Sequence, residues 1–172
     1  MKKFTAIGVS SGVVAGIWAG VSMSLGLGTF AGFLAWSSYF AVGGGKKGIK
    51  AGLIANLCGI CWGLAEAKLT AVLGPYVGNI LAAALATGIG SAVICWQSKI
   101  DLLKFIPGTF IGCTAFFATN LNFKLTIISM IIGSLLGYVS DILVNVLAKE
   151  EEAEETKVFQ IKRGALLKKY MK

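Results

Sequence analysis

The chain has no histidine, only two prolines and eight acidic residues, and charged side chains make up 14% of its 172 residues. Without imidazole, and with four cysteines that all fall inside apolar runs (Cys58, Cys61, Cys95 and Cys113), no transition-metal site is expected. The same absence excludes Ser/His and Cys/His catalytic pairs. No phosphate loop or evident acid pair replaces them, so neither an enzyme activity nor a cofactor is expected. Cys58-x2-Cys61 has the spacing of a redox motif, yet it lies mid-run, away from aqueous reductants; small thiols filling a helix interface account for it better.

What the chain does have is apolar sequence: 56% of its residues are hydrophobic, in runs of roughly twenty, the length that crosses a hydrocarbon core of about 30 Å. The expected fold is all-α, a polytopic transmembrane helix bundle. Its six spans are read at about 4–23, 27–43, 50–72, 76–96, 105–121 and 125–147, with turn-forming or charged residues between them. One of these breaks is placed at Gly74-Pro75. Lys2 and Lys3 with the first run imitate a signal peptide, but the run lacks a cleavage motif and is continuous with a repeat described below. The net charge of +8 does not point to nucleic acid, because no folded polar domain exists to carry such a surface. Its positions are those of topology signals. Lys2 and Lys3, then Lys46, Lys47 and Lys50, then Lys99 and Lys104, and finally the tail fall on one side; Lys68 and Lys124 are left for the other. An N-in, C-in arrangement follows.

Two stretches about eighty residues apart repeat each other. Gly28 to Trp36 reads GTFAGFLAW and Gly108 to Phe116 reads GTFIGCTAF, identical at five of nine positions. Upstream, Gly12 and Trp18 are spaced as Gly90 and Trp96 are. Downstream, Gly59-x3-Gly63 before Glu66 parallels Gly133-x3-Gly137 before Ser140 and Asp141. With three spans per copy the second copy enters the membrane upside down, a 3+3 inverted repeat with repeat one at about 4–73 and repeat two at about 76–147. Residues 1–147 form the bundle, and 148–172 a charged cytoplasmic tail. Residues 157–172 mix apolar and basic side chains, which suits contact with anionic lipid or a cytoplasmic partner.

Glycine spacing sets the packing. Gly8, Gly12, Gly16 and Gly20 recur every fourth residue and make a groove on one helix face; Gly59/Gly63 and Gly133/Gly137 do so on others. Whether the first groove is filled within one subunit or by another is open. Six short spans leave little room for a closed pathway, and this favours a homo-oligomer. Along the pathway the candidate residues are Thr29 and Thr109, at the starts of the two short matching segments; each threonine either lines an opening or is an ordinary N-cap. Helix N-termini there would offer partial positive charge to an anion or a carbonyl oxygen. Asn56, Gly59, Gly63 and Glu66 share one helix face, and an acid deep in a bilayer costs about 2.5–3.5 kcal/mol on insertion scales, which makes Glu66 a functional candidate. Asp141 is its near-counterpart, with an interfacial position as the other reading. Trp36 and Phe116 hold matching places, either as a paired aromatic constriction or as core and interface residues.

The pattern GTFxGFLAWSSYFAVGG followed by ANLCGICWG resembles a family of small bacterial inner-membrane proteins, domain of unknown function 1097. The resemblance covers most of residues 1–147. It implies a multi-pass protein of the bacterial cytoplasmic membrane and transfers no functional residue. Three functions compete. The first is a channel or facilitator passing a small neutral or weakly ionised solute through the lipid bilayer. The second is a proton-coupled transporter using Glu66. The third is a membrane anchor or assembly factor acting through its C-terminal tail.

Overall fold

Lipid offers a backbone no hydrogen-bond partners, so an uninterrupted apolar run satisfies its own amides by becoming a helix. The computed structural model describes the backbone of residues 3–170 and the side chains of residues 3–148. Among the described residues there are six principal helices and no strand. These are α1 (Lys3–Ser24), α2 (Thr29–Ala41), α3 (Gly45–Val77), α4 (Asn79–Trp96), α5 (Ile106–Ala118) and α6 (Phe123–Tyr170). A π-turn over Gly48–Gly52 interrupts α3, and two single 3-10 turns, Gln97–Lys99 and Asp101–Leu103, join α4 to α5.

The expected break at Gly74-Pro75 is displaced. Pro75 lies inside the last turn of α3, and the reversal is made by one residue, Gly78, at φ +82°, whose N–H bonds the Gly74 carbonyl at 2.9 Å. A side chain would strain that left-handed backbone, and α4 starts at the next residue.

Four helices are long and apolar enough to cross a membrane: α1, α3, α4 with its following turn, and α6 over Phe123–Ala148. The other two, α2 and α5, have 13 residues each. At 1.5 Å per residue that is about 20 Å, short of the hydrocarbon thickness. The expected segments 27–43 and 105–121 lose residues to their ends. Gly43 and Gly44 have positive φ, as do Asn120 and Leu121, and these turns stop the helices early. By contrast α6 runs on without a break past residue 148, where the composition changes. The side chains of the expected lipid- or partner-binding segment 157–172 lie outside the described residues.

The chain divides into two compact units, residues 1–15 with 139–172, and residues 16–138. Within the larger unit the helices cross through glycine. A methyl group added at Gly59 of α3 would collide with the Thr109 carbonyl oxygen of α5, and one at Gly112 of α5 with the Asn56 carbonyl of α3. One at Gly133 of α6 would strike the Gly32 carbonyl of α2. Backbone meets backbone at these points, giving dispersion and Cα–H···O contacts that replace the absent hydrophobic drive. Gly63 and Gly137 receive rings instead, Phe116 and Tyr39 respectively. Around these crossings Ala31, Ala35, Ile60, Ala115, Phe116 and Met130 form a filled core.

The glycine row of α1 faces the other way. Ala6, Ser10, Val14, Trp18 and Ser22 are buried, whereas Gly8, Gly12, Gly16 and Gly20 are exposed with nothing within 4 Å of an added Cβ. The spacing match of Gly12 and Trp18 to Gly90 and Trp96 therefore does not carry over to environment. Trp18 is 2% exposed and Trp96 65%, and Gly12 is open while Gly90 is covered. Burial instead pairs positions eighty apart, Ser10 with Gly90 and Val14 with Ile94. In the smaller unit Ser10 donates to the Ser140 carbonyl at 2.8 Å.

Candidate functional site

Three buried polar groupings lie along α3, all within the larger unit. The deepest holds Asn56, 0% exposed, whose Oδ1 accepts from the Ser38 hydroxyl of α2 at 2.8 Å. Its Nδ2 has no partner, and neither do the buried hydroxyls of Ser134 and Ser140 on α6.

The second grouping centres on Gln97, in the turn that follows α4. Its Oε1 accepts from the Trp62 indole at 2.8 Å and from the Cys58 thiol at 3.3 Å, while its Nε2 donates to Thr109 Oγ1 at 2.8 Å. Gln97 thus uses both acceptor sites and one of its two donors to tie α3 to the start of α5, beside an open apolar cleft of about 600 Å³ that Trp96 and Ile100 also line. Sequence reasoning passed over this residue because it fell in an assumed break. The signal was a lone amide at the end of an apolar run, next to Trp96.

The third grouping holds Glu66. It is 6% exposed and lies over Gly90 of α4, where a side chain at position 90 would displace it. Cys113 of α5 lines one cleft with it, and no cation pairs with it among the described residues. Glu66 forms the floor of a cleft of about 320 Å³ between α3, α4 and α5. Thr87 and Ser91 line it from α4, and Phe110, Thr114 and Phe117 from α5. The cleft gathers one buried carboxyl with three hydroxyl side chains.

The remaining candidates are placed as follows. Thr29 is half-buried, its hydroxyl 2.7 Å from that of Ser22 and its carbonyl accepting from the Trp18 indole at 3.0 Å. Thr109 is fully buried against Gln97. Neither threonine is an N-cap, since Gly28 and Phe105 hold those positions. The start of α5 is internally satisfied, and that of α2 is satisfied in part. Gly28 N–H donates to Ser129 Oγ at 2.9 Å and Thr29 N–H to the Leu27 carbonyl; at α5, Gly108 and Thr109 N–H both donate to the Phe105 carbonyl, and Pro107 has no N–H to offer. Trp36 stacks on Phe33 at 6.0 Å between ring centroids, and Phe116 meets Phe123 edge-on at 6.3 Å, so both rings are taken up in packing. Asp141 is half-buried and makes interactions of its own. The structure brings Glu66 and Gly90 together; it gives Asn56 and Thr109 separate hydrogen-bond partners.

The chain is similar to known bacterial membrane proteins along most of its length. It is 37% identical over 150 residues to the uncharacterized protein YahC of Escherichia coli K12, covering 82% of this chain and 90% of that one. It is 39% identical over 139 residues to the inner membrane protein YcdZ of the same strain, covering 80% and 83%. The inner membrane protein YcdZ of Salmonella typhimurium LT2 is 37% identical over 139 residues, covering 80% and 85%. No solved structure matches the chain. With four helices of crossing length and such relatives, this is a multi-pass protein of the inner membrane. The family described as "Protein of unknown function (DUF1097)" matches residues 8–145, and the chain belongs to it.

Proposed function

We propose that the protein is a channel or facilitator for a small neutral or weakly ionised solute, and that the solute meets the protein in the cleft floored by Glu66. The observation that carries this reading is a buried carboxyl group with no cationic partner among the described residues, opening onto hydroxyls in a chain otherwise poor in intramembrane charge. Such a group is costly in a bilayer and is retained where a permeant or a proton needs it. The filled core at Phe116 and Met130 directs the route along the cleft rather than between those residues.

An inverted duplication supports the transport reading. Gly28 of α2 faces Ser129 of α6, and its repeat partner Gly108 faces Ala55 of α3. Ser129 and Ala55 stand at matching positions, each four residues before the glycine of its crossing. Exchange of partners between halves is what a pseudo-dyad produces. The grouping of Lys46, Lys47, Lys50, Lys99 and Lys104 supports N-in, C-in orientation.

The test is flux in proteoliposomes. Shrinkage or swelling with urea, glycerol and methylamine is expected to exceed that of protein-free vesicles, and Glu66→Leu is expected to reduce it. Vesicles no leakier than lipid alone to every solute would end this reading. A second reading, proton coupling through Glu66, draws on its burial with no cation beside it among the described residues. Uptake that requires an imposed pH gradient, and that Glu66→Gln uncouples, would select it over passive flow.

A further inference from the structure

Resting on the transport reading above, we propose that the Glu66 cleft binds its solute as a small protonated amine, an ammonium-type cation. A carboxylate offers about four lone-pair sites to donors. Glu66 is 6% exposed, shares the cleft with the Cys113 thiol and has no cation beside it among the described residues. A carboxyl so placed calls for a donor-rich, positively charged neighbour, because an uncompensated charge in such surroundings is among the costliest arrangements a protein can keep.

The other walls fit the same occupant. Thr87, Ser91 and Thr114 present hydroxyl oxygens that accept N–H groups, and the lining carries no base to repel a cation. Phe110 and Phe117 lie on the same helix and line the cleft, and aromatic faces attract ammonium groups by about 0.5–2 kcal/mol. The volume, about 320 Å³, is at the small end of ligand sites and holds a compact solute rather than a chain. Gly90 completes the arrangement. By lacking a side chain it lets the Glu66 carboxyl lie against α4 instead of pointing into the filled core.

Methylammonium is the probe, with urea and potassium as neutral and hard-cation controls. Full-length protein in nanodiscs is titrated by calorimetry, and the same protein is assayed for flux in vesicles. Expected is saturable methylammonium binding that urea does not compete, weakened at least tenfold by Glu66→Gln and largely kept by Glu66→Asp. Size-exclusion profiles and thermal midpoints of both variants verify that they fold; if Glu66→Gln does not, Thr114→Val and Ser91→Ala serve, each expected to weaken binding several-fold. Binding unchanged by these substitutions, or urea or potassium bound as well as methylammonium, overturns the amine assignment. Urea flux with no methylammonium binding overturns it too while leaving the channel standing. Methylammonium binding without flux of any solute removes the channel and keeps the site.

Discussion

Two glycine crossings organise the larger unit, and they differ in what surrounds them. At Gly59/Gly112, between α3 and α5, the neighbours are Asn56, Cys113 and Glu66; at Gly32/Gly133, between α2 and α6, the matching positions along α6 are Met130 and Ser140. The backbone contact is of the same kind in both, since each brings a carbonyl oxygen to where a Cβ would be. Both crossings have buried polar side chains nearby, Ser129 and Ser134 beside Gly133 among them, but the acid Glu66 belongs to the α3–α5 side.

The most damaging way to break the comparison is to fill a crossing. Gly112→Leu and Gly133→Leu drive a large side chain into a carbonyl, and loss of monodisperse protein on fluorescence-detected size exclusion is expected for both. The alanine versions are expected to lose about 1–3 kcal/mol, the usual cost of overpacking, and to unfold at lower denaturant. If one crossing tolerates leucine, the two are not equivalent in structure.

Function is expected to separate them next. Glu66→Gln is predicted to cut solute flux in proteoliposomes at least tenfold with little change in thermal midpoint, whereas Ser140→Ala at the matching place leaves flux unchanged. Equal losses would assign the path to both halves.

A smaller effect concerns the two tryptophans. Trp18→Phe removes the bond to the Thr29 carbonyl and is expected to cost about 1 kcal/mol, while Trp96→Phe is expected to fall within about 0.5 kcal/mol of wild type. Reversible unfolding in mild detergent measures both. The smallest effect is expected at Gly12→Ala and Gly16→Ala, which meet open space. Their monomer stability should be unchanged, and a shift in oligomeric state on light scattering would reveal that another subunit covers this face.

These contrasts mark how far the sequence could be read. The six helices follow from apolar runs between breakers, and the shared face of Asn56, Gly59, Gly63 and Glu66 follows from helical spacing; the structure buries all four. What the spacing could not give is which face of α1 turns inward. Four glycines every fourth residue look like a packing groove, yet Trp18 and Ser10, on the other side, make the bonds that decide it. Nor could identity alone align the first helix of each half, because a shift of two residues rotates a helix by about 200°. Pro75 misled because a proline usually ends a helix before itself, whereas here the helix runs two residues past it and Gly78, with its positive φ, makes the turn. Gln97 escaped notice because its partners, Trp62, Cys58 and Thr109, come from helices brought beside it only by the fold.

The single-residue reversal at Gly78 has a geometric outcome. Glu66 precedes it by twelve residues and Gly90 follows it by twelve, so the acid and the bare backbone that receives it are mirror stations on two arms of one hairpin. An elbow this short has no slack to absorb sliding. Inserting one residue in either arm would advance that arm by about 1.5 Å and swing its side chains by about 100°, leaving the carboxyl to press on a methyl-bearing neighbour instead. The position of the acid is in this sense measured out from the bend.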